Sequence, residues 1–130
     1  MTTLSLVIPC YNEREGVPSL IQRLEETRRA LEPGVQLECV FVDDGSRDGT
    51  AEALEAACRG RVSSRVLRHV RNRGLGAALR TGLSAVTGDL VATADSDCTY
   101  DPLELVPMVA LLVQGADVVI GSAYHPRGAV

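Results

Sequence analysis

The sequence predicts an α/β fold: a doubly wound, mainly parallel sheet with helices on both faces. Three observations carry that expectation. Short apolar runs of strand length alternate with segments of helical apolar spacing, five times along 130 residues. Gly, Pro, Asp and Asn punctuate the junctions. Polar clusters, three of them acidic, follow the first four apolar runs, so a parallel sheet would gather them on one rim.

The elements follow in order. Residues 4–8, Leu-Ser-Leu-Val-Ile, read as a buried strand ended by Pro9. The polar loop 10–16 leads into a helix over 17–31, with apolar residues at 17, 20, 21, 24 and 31, and Pro33-Gly34 stops it. Residues 37–42 form the second strand, closed by Asp43-Asp44-Gly45-Ser46. A helix over 51–58 follows, with Thr50 as its expected cap. Residues 65–70 are a shorter, more polar strand that suits a sheet edge. After the loop Arg71-Asn72-Arg73-Gly74-Leu75-Gly76 comes a helix over 77–86, stopped by Thr87-Gly88. Residues 90–94 are the fourth strand. Tyr100-Asp101-Pro102 opens a helix running to 114, with Pro near its first position. Gly115 ends it, residues 117–120 read as a fifth strand, and 121–130 as loop.

Composition bounds the class. With 45% hydrophobic and 23% charged residues the chain can bury a core, and its length suits one domain. A net charge of −4 argues against nucleic acid or an anionic membrane as a default partner. One Phe, three Tyr and no Trp offer no platform for stacking bases. Cys10, Cys39, Cys58 and Cys98 lack the spacing of a zinc site or a redox pair, so free thiols in a reducing compartment are expected. No signal peptide opens the sequence and no apolar run reaches 18 residues, so neither export nor a transmembrane segment is expected. All 13 basic residues are Arg; seven fall between positions 59 and 80 and read mostly as a solvated face, steering of an anion by Arg71 and Arg73 being the less favoured alternative to simple exposure.

The chemistry concentrates in residues 88–97, Gly-Asp-Leu-Val-Ala-Thr-Ala-Asp-Ser-Asp. In an extended chain Asp95 and Asp97 would face the same way, about 6 to 7 Å apart. Their mutual repulsion of about 2 to 3 kcal/mol at an effective dielectric near 20 would be relieved by a divalent cation. Carboxylates favour Mg2+ or Mn2+, and two of them want phosphate oxygens to complete the metal's shell. Asp43 or Asp44 would accept a hydrogen bond from a base or ribose; Pro9 and Tyr11 would pack on a base ring, with Glu13 in reach. Helix capping by Asn12 with Glu15 would also account for that loop. Gly74-Leu75-Gly76 before a helix would let backbone N–H groups approach a phosphate, but the third glycine of a dinucleotide fingerprint is replaced by Leu79, and close helix packing is the preferred reason for Gly74 and Gly76. His69 and His125 are assigned no role.

Four segments together resemble the family 2 glycosyltransferases, in particular their dolichol-phosphate mannosyltransferase and polyprenyl-phosphate glycosyltransferase branch. They are Val7-Ile8-Pro9-Cys10-Tyr11-Asn12-Glu13; Val42-Asp43-Asp44-Gly45-Ser46-Arg47-Asp48-Gly49-Thr50; Gly88-Asp89 leading to Asp95-Ser96-Asp97; and Gly115-Ala116-Asp117-Val118-Val119-Ile120-Gly121-Ser122. The resemblance implies a GT-A fold, a GDP- or UDP-sugar donor, Mg2+ or Mn2+, and inversion at the anomeric carbon. It implies that Pro9, Tyr11, Glu13, Val42 and Asp44 line the nucleotide and that Asp95, Ser96 and Asp97 form a D-x-D segment, with Asp95 and Asp97 as metal ligands and catalytic residues. Residues 1–130 would be the N-terminal nucleotide-sugar-binding part of a longer catalytic domain. The acceptor would be a polyprenyl or dolichyl phosphate, or else a sugar hydroxyl; a fragment that binds nucleotide without transfer is the remaining reading. The expected location is the cytoplasm or its membrane surface, with a homo-oligomer or a membrane-protein partner left open. One departure stands out: Ala123 occupies the place where the mannosyltransferase branch carries Arg.

Overall fold

The computed structural model describes residues 1–121. Strands β1 (Thr2–Cys10), β2 (Val35–Asp43), β3 (Ser63–Arg68) and β4 (Leu90–Thr93) alternate with helices α1 (Val17–Leu31), α2 (Thr50–Cys58), α3 (Leu75–Ala85) and α4 (Leu105–Val113). The strands form one parallel sheet in the order β3-β2-β1-β4. The chain therefore winds outward from β1 to β3, then crosses to the far side of β1 for β4. The order reverses between β1 and β4, and in open α/β sheets that crevice is where ligands bind.

Side-chain alternation divides the core in two. Leu4, Leu6 and Ile8 of β1, with Leu37, Cys39 and Phe41 of β2, face Leu20, Ile21 and Leu24 of α1, Leu54 of α2 and Val109 of α4. The register pairs Leu6 with Cys39 and Ile8 with Phe41, so neighbouring strands present the same face to that layer. Val7 and Val42 face the other way, against α3, which alone covers the second side among the described residues. Helices on both faces are thus as expected, and β3 is the predicted edge.

Several boundaries moved. Pro9 does not end β1, which continues to Cys10. The Val7 carbonyl accepts from Ala94 N, so the backbone of alternate residues 5, 7 and 9 is directed toward β4. Pairing with β4 ends at Thr93, so the N–H that Pro9 lacks has no partner to lose there. Strand β3 lies two residues earlier than expected and leaves Val70 exposed. The expected fifth strand does not form: residues 117–120 carry no strand pairing, and Val118 and Ile120 are exposed. Their apolar run has strand length, but among the described residues nothing pairs with it, and a strand exists only as one of a pair. The segment 122–130, with Ala123 and His125, lies outside the described residues.

Candidate active site

A cavity of about 460 Å3 opens at the carboxyl ends of the strands, in the crevice between β1 and β4. That volume falls within the range of small-molecule sites, about 300–1,000 Å3. Its walls come from four chain segments. The end of β1 and its loop give Pro9, Cys10, Tyr11 and Glu13; the end of β2 gives Asp44. The β3–α3 loop and first helical turn give Asn72, Gly74, Leu75 and Ala78. The turn after β4 gives Asp95, Ser96 and Asp97. The structure thus brings together seven of the eight residues singled out from the sequence. The eighth, Val42, is completely buried under α3 and does not reach the wall.

The loops are laced together by short polar contacts. Asn12, at φ 51°, receives a hydrogen bond on Oδ1 from Arg47 N at 3.0 Å and donates its own N–H to Ser46 Oγ at 2.8 Å. It ties the first rim loop to the second and caps no helix; α1 starts at Val17 with no side-chain cap. Thr50 also differs from expectation. It is the first residue of α2, Gly49 is the cap, and Thr50 Oγ1 accepts from Glu13 N at 3.0 Å. Gly45, at φ +75°, has no room for a side chain: a Cβ there would stand 2.3 Å from Arg71 C and Asn72 N. Only glycine lets the second rim loop pass so close beneath the third.

Asp44 is the hub of this rim. Its side chain is 6% exposed. Oδ1 accepts from Arg73 N at 2.9 Å and lies 2.7 Å from His69 Nδ1, while Oδ2 accepts from Gly74 N at 2.9 Å. Burial alone would raise its pKa, but the His69 contact and the two amide donors outweigh it and hold the carboxyl below its ordinary range. Asp43 is buried too, yet stays off the cavity wall; its Oδ1 accepts from Ser46 N at 3.2 Å, which settles which aspartate faces the cavity.

The β4 turn departs from the strand geometry read from the sequence. Strand β4 stops at Thr93, and residues 96 and 97 lie in a turn, so the two-residue strand alternation does not place Asp95 and Asp97. Both are nonetheless exposed on the cavity wall, flanking the buried Ser96. Asp97 Oδ1 accepts from Thr99 N at 3.0 Å, which fixes the turn and leaves Oδ2 for a ligand. Cys10 borders the cavity but is buried against the core, and burial pushes its thiol up to about 12, only partly offset by the Ser96 hydroxyl, so it is not poised as a nucleophile near neutral pH.

Four carboxylates therefore line the cavity (Glu13, Asp44, Asp95 and Asp97), and among the described residues no basic side chain does. No cluster of three or more metal-ligating side chains occurs among the described residues. Asp95 and Asp97 give hard oxygen donors for Mg2+ or Mn2+, and the remaining ligands would have to come from the substrate or water. Gly74, Leu75 and Ala78 bring the N-terminus of α3, with its local positive field, to the wall.

The sequence raised this last element only as the less favoured reading of Gly74-Leu75-Gly76, and it missed the support beneath it. Gly74 and Gly76 were expected to serve close packing, but a Cβ at either would meet nothing within 4 Å. Gly74 is needed for its φ of +95°, which turns its N–H onto Asp44. Helix α3 begins two residues earlier than expected, which brings Leu75 to the cavity. His69, given no role, is the side-chain partner of Asp44. The sequence placed His69 inside a strand over 65–70, so its spacing gave no sign of a rim position; the strand ends at Arg68.

Residues 5–130 match the model of "Glycosyl transferase family 2". The chain belongs to this family. Among curated relatives, two undecaprenyl-phosphate 4-deoxy-4-formamido-L-arabinose transferases are similar over 118 residues. That of Pseudomonas savastanoi pv. phaseolicola is 42% identical and that of Pseudomonas aeruginosa 44%; each alignment covers 89% of this chain and 34% of the relative. The chain thus spans about a third of their length. Among solved structures, S. aureus TarS in complex with UDP-GlcNAc superposes with a TM-score of 0.72 at 26% identity, covering 86% of this chain and 31% of that one. Glucosyl-3-phosphoglycerate synthase of Mycobacterium tuberculosis, in complex with Mn2+, UDP-Glc and phosphoglyceric acid, gives 0.64 at 29% identity, covering 88% and 40%. The mannosyltransferase of Pyrobaculum calidifontis, in complex with GDP-Man and Mn2+, gives 0.62 at 26% identity, covering 72% and 27%. The GT-A-type α/β fold that the resemblance implied is the one this glycosyltransferase chain shares with these neighbours.

Proposed function

We propose that the cavity binds a nucleotide-diphospho-sugar together with Mg2+ or Mn2+, as the donor half of an inverting sugar transfer to a polyprenyl phosphate. One observation carries the reading: four carboxylates and no basic side chain surround the cavity among the described residues. A diphosphate cannot enter such a field unless a cation comes with it. Solved neighbours with GDP-Man and Mn2+, and with UDP-Glc and Mn2+, support the donor class; the undecaprenyl-phosphate transferases support the acceptor.

Each residue then has a task. Pro9 and Tyr11 pack on the base, with Tyr11 half exposed at the rim. Asp44 and Glu13 accept from base or ribose. The backbone at the start of α3 faces the phosphates. Asp95 and Asp97 would hold the cation, which when bound offsets charge on the departing diphosphate. An acceptor phosphate is largely ionised near neutral pH, its second pKa being about 6, so its oxygen can attack the anomeric carbon without a side-chain base. Displacement from the face opposite the leaving group inverts that carbon. The reading places the chain at the cytoplasmic side of a membrane; no helix among the described residues is long and apolar enough to cross one.

A thermal-shift panel of UDP, GDP and their sugars, each with and without MnCl2, tests this. Stabilisation is expected only with nucleotide and metal together, about 2.7 kcal/mol at a hundredfold excess over Kd. Asp97→Ala should remove it. A shift of equal size without metal, or none with any nucleotide, contradicts the reading.

A further inference from the structure

We propose that His69 is a positioning residue of the donor site: its ring orients the Asp44 carboxylate and steadies the 71–76 loop that walls the cavity. This rests on the reading of the cavity as a nucleotide-sugar site. The His69 side chain is 5% exposed and lies just beyond β3. Its Nδ1 stands 2.7 Å from Asp44 Oδ1, and its Nε2 2.8 Å from Thr81 Oγ1 in α3. Its backbone N–H donates to the Asp43 carbonyl at 2.8 Å. One residue, just before the third rim loop, is thus bonded both to the end of β2 and to α3, the helix into which that loop runs.

The direction of each bond follows from the chemistry. An ionised carboxylate only accepts, so Nδ1 carries a proton and donates to Asp44. In the neutral ring Nε2 then accepts from the Thr81 hydroxyl. A carboxylate offers about four acceptor sites. His69 and Arg73 N occupy Oδ1, and Gly74 N takes one site on Oδ2. The open site is on Oδ2, on a residue that lines the cavity, so the protein leaves a single defined acceptor for a base N–H or a ribose hydroxyl. Without the imidazole, Oδ1 keeps only the Arg73 amide. The carboxylate can then turn, and the amides of Arg73 and Gly74, which follow it, lose their fixed place in the wall.

Two substitutions separate this role from packing. His69→Asn sets its amide nitrogen where Nδ1 stands, keeping the Asp44 bond and dropping Thr81. His69→Gln sets its amide where Nε2 stands, keeping Thr81 and losing Asp44. UDP and GDP with MnCl2 are titrated calorimetrically into each full chain, and each melting temperature is recorded. H69N should bind within about threefold of the unsubstituted chain and H69Q about tenfold more weakly, the worth of one lost charge-assisted hydrogen bond, even at similar melting temperatures. Unchanged affinity in H69Q, or equal losses in both variants, overturns the role of His69 alone. Failure of the unsubstituted chain to bind either nucleotide overturns the reading of the cavity and this proposal with it. Should H69Q not fold, imidazole 15N spectra of the unsubstituted chain decide. Nδ1 of His69 must be protonated and must respond to nucleotide with Mn2+; an unprotonated or unresponsive Nδ1 overturns the proposal.

Discussion

Asp44 shows how one residue serves structure and site together. Its carboxyl is held below the ordinary range, so the folded state binds its proton less readily than the unfolded chain, where the value is about 3.9. The stabilisation is therefore complete above about pH 5 and is lost as pH falls through the folded value. Asp44→Asn should lower stability near neutral pH and flatten the acid side of the pH–stability curve, measured as the urea midpoint between neutral and acid pH. A D44N curve as steep as that of the parent chain would show that the hydrogen bonds of this carboxylate do not set its proton affinity. The sequence already pointed to Asp44 by its place at a strand end. The spacing alone could not tell Asp44 from Asp43, because adjacent residues at a strand end face opposite ways and the packing decides which side is the cavity; only the family resemblance pointed to Asp44. His69 was illegible for a related reason: its partners lie 25 and 12 residues away, and only the fold brings them into contact.

Among the elements, α3 does the most to shape the site. Its close approach to the sheet is made at Gly82, where a Cβ would stand 2.3 Å from Val7 Cγ1 and 3.2 Å from Val42 Cγ2. Both valines are wholly buried and stiff at χ1, so neither can step aside. Gly82→Ala should cost about 1–3 kcal/mol by overpacking. Because the helix must move off the sheet, its first turn, which lines the cavity, should shift with it. Denaturant melts give the first quantity, and weaker nucleotide binding checks the second; full stability in G82A would contradict the observed approach. Contrast the Arg23–Asp101 ion pair at 2.6 Å, which joins α1 to the turn before α4. Both partners are substantially exposed, so Arg23→Ala should change stability by less than about 1 kcal/mol. Element types were largely legible because apolar periodicity is strong here; ends were not. Helix α3 starts at Leu75, before its apolar pattern becomes regular, and β1 runs through Pro9 because its neighbour has already ended.

At the scale of the molecule, the order β3-β2-β1-β4 turns a linear sequence into a site. Residues 9–13, 44, 72–78 and 95–97 are dispersed along the chain, and parallel winding delivers them all to one rim. That convergence was legible from the alternation of elements and from the acids after successive strands. The fifth strand was not, because an apolar run states a preference whereas a strand requires a neighbour. The same topology accounts for the charge of the site: acids can accumulate at strand ends, away from the apolar core, at little cost until something anionic must bind. On this account the cation makes the cavity fit for a diphosphate, so EDTA should abolish nucleotide binding and excess Mn2+ restore it in calorimetric titrations.

The most direct measurement is paramagnetic broadening of backbone amide resonances by Mn2+ in the presence of UDP or GDP. The account predicts that signals of Glu13, Gly74, Asp95, Ser96 and Asp97 broaden first, while those of Gly34 and Asp89, at the opposite end of the sheet, stay sharp. Broadening centred elsewhere, or no broadening with nucleotide present, would contradict it.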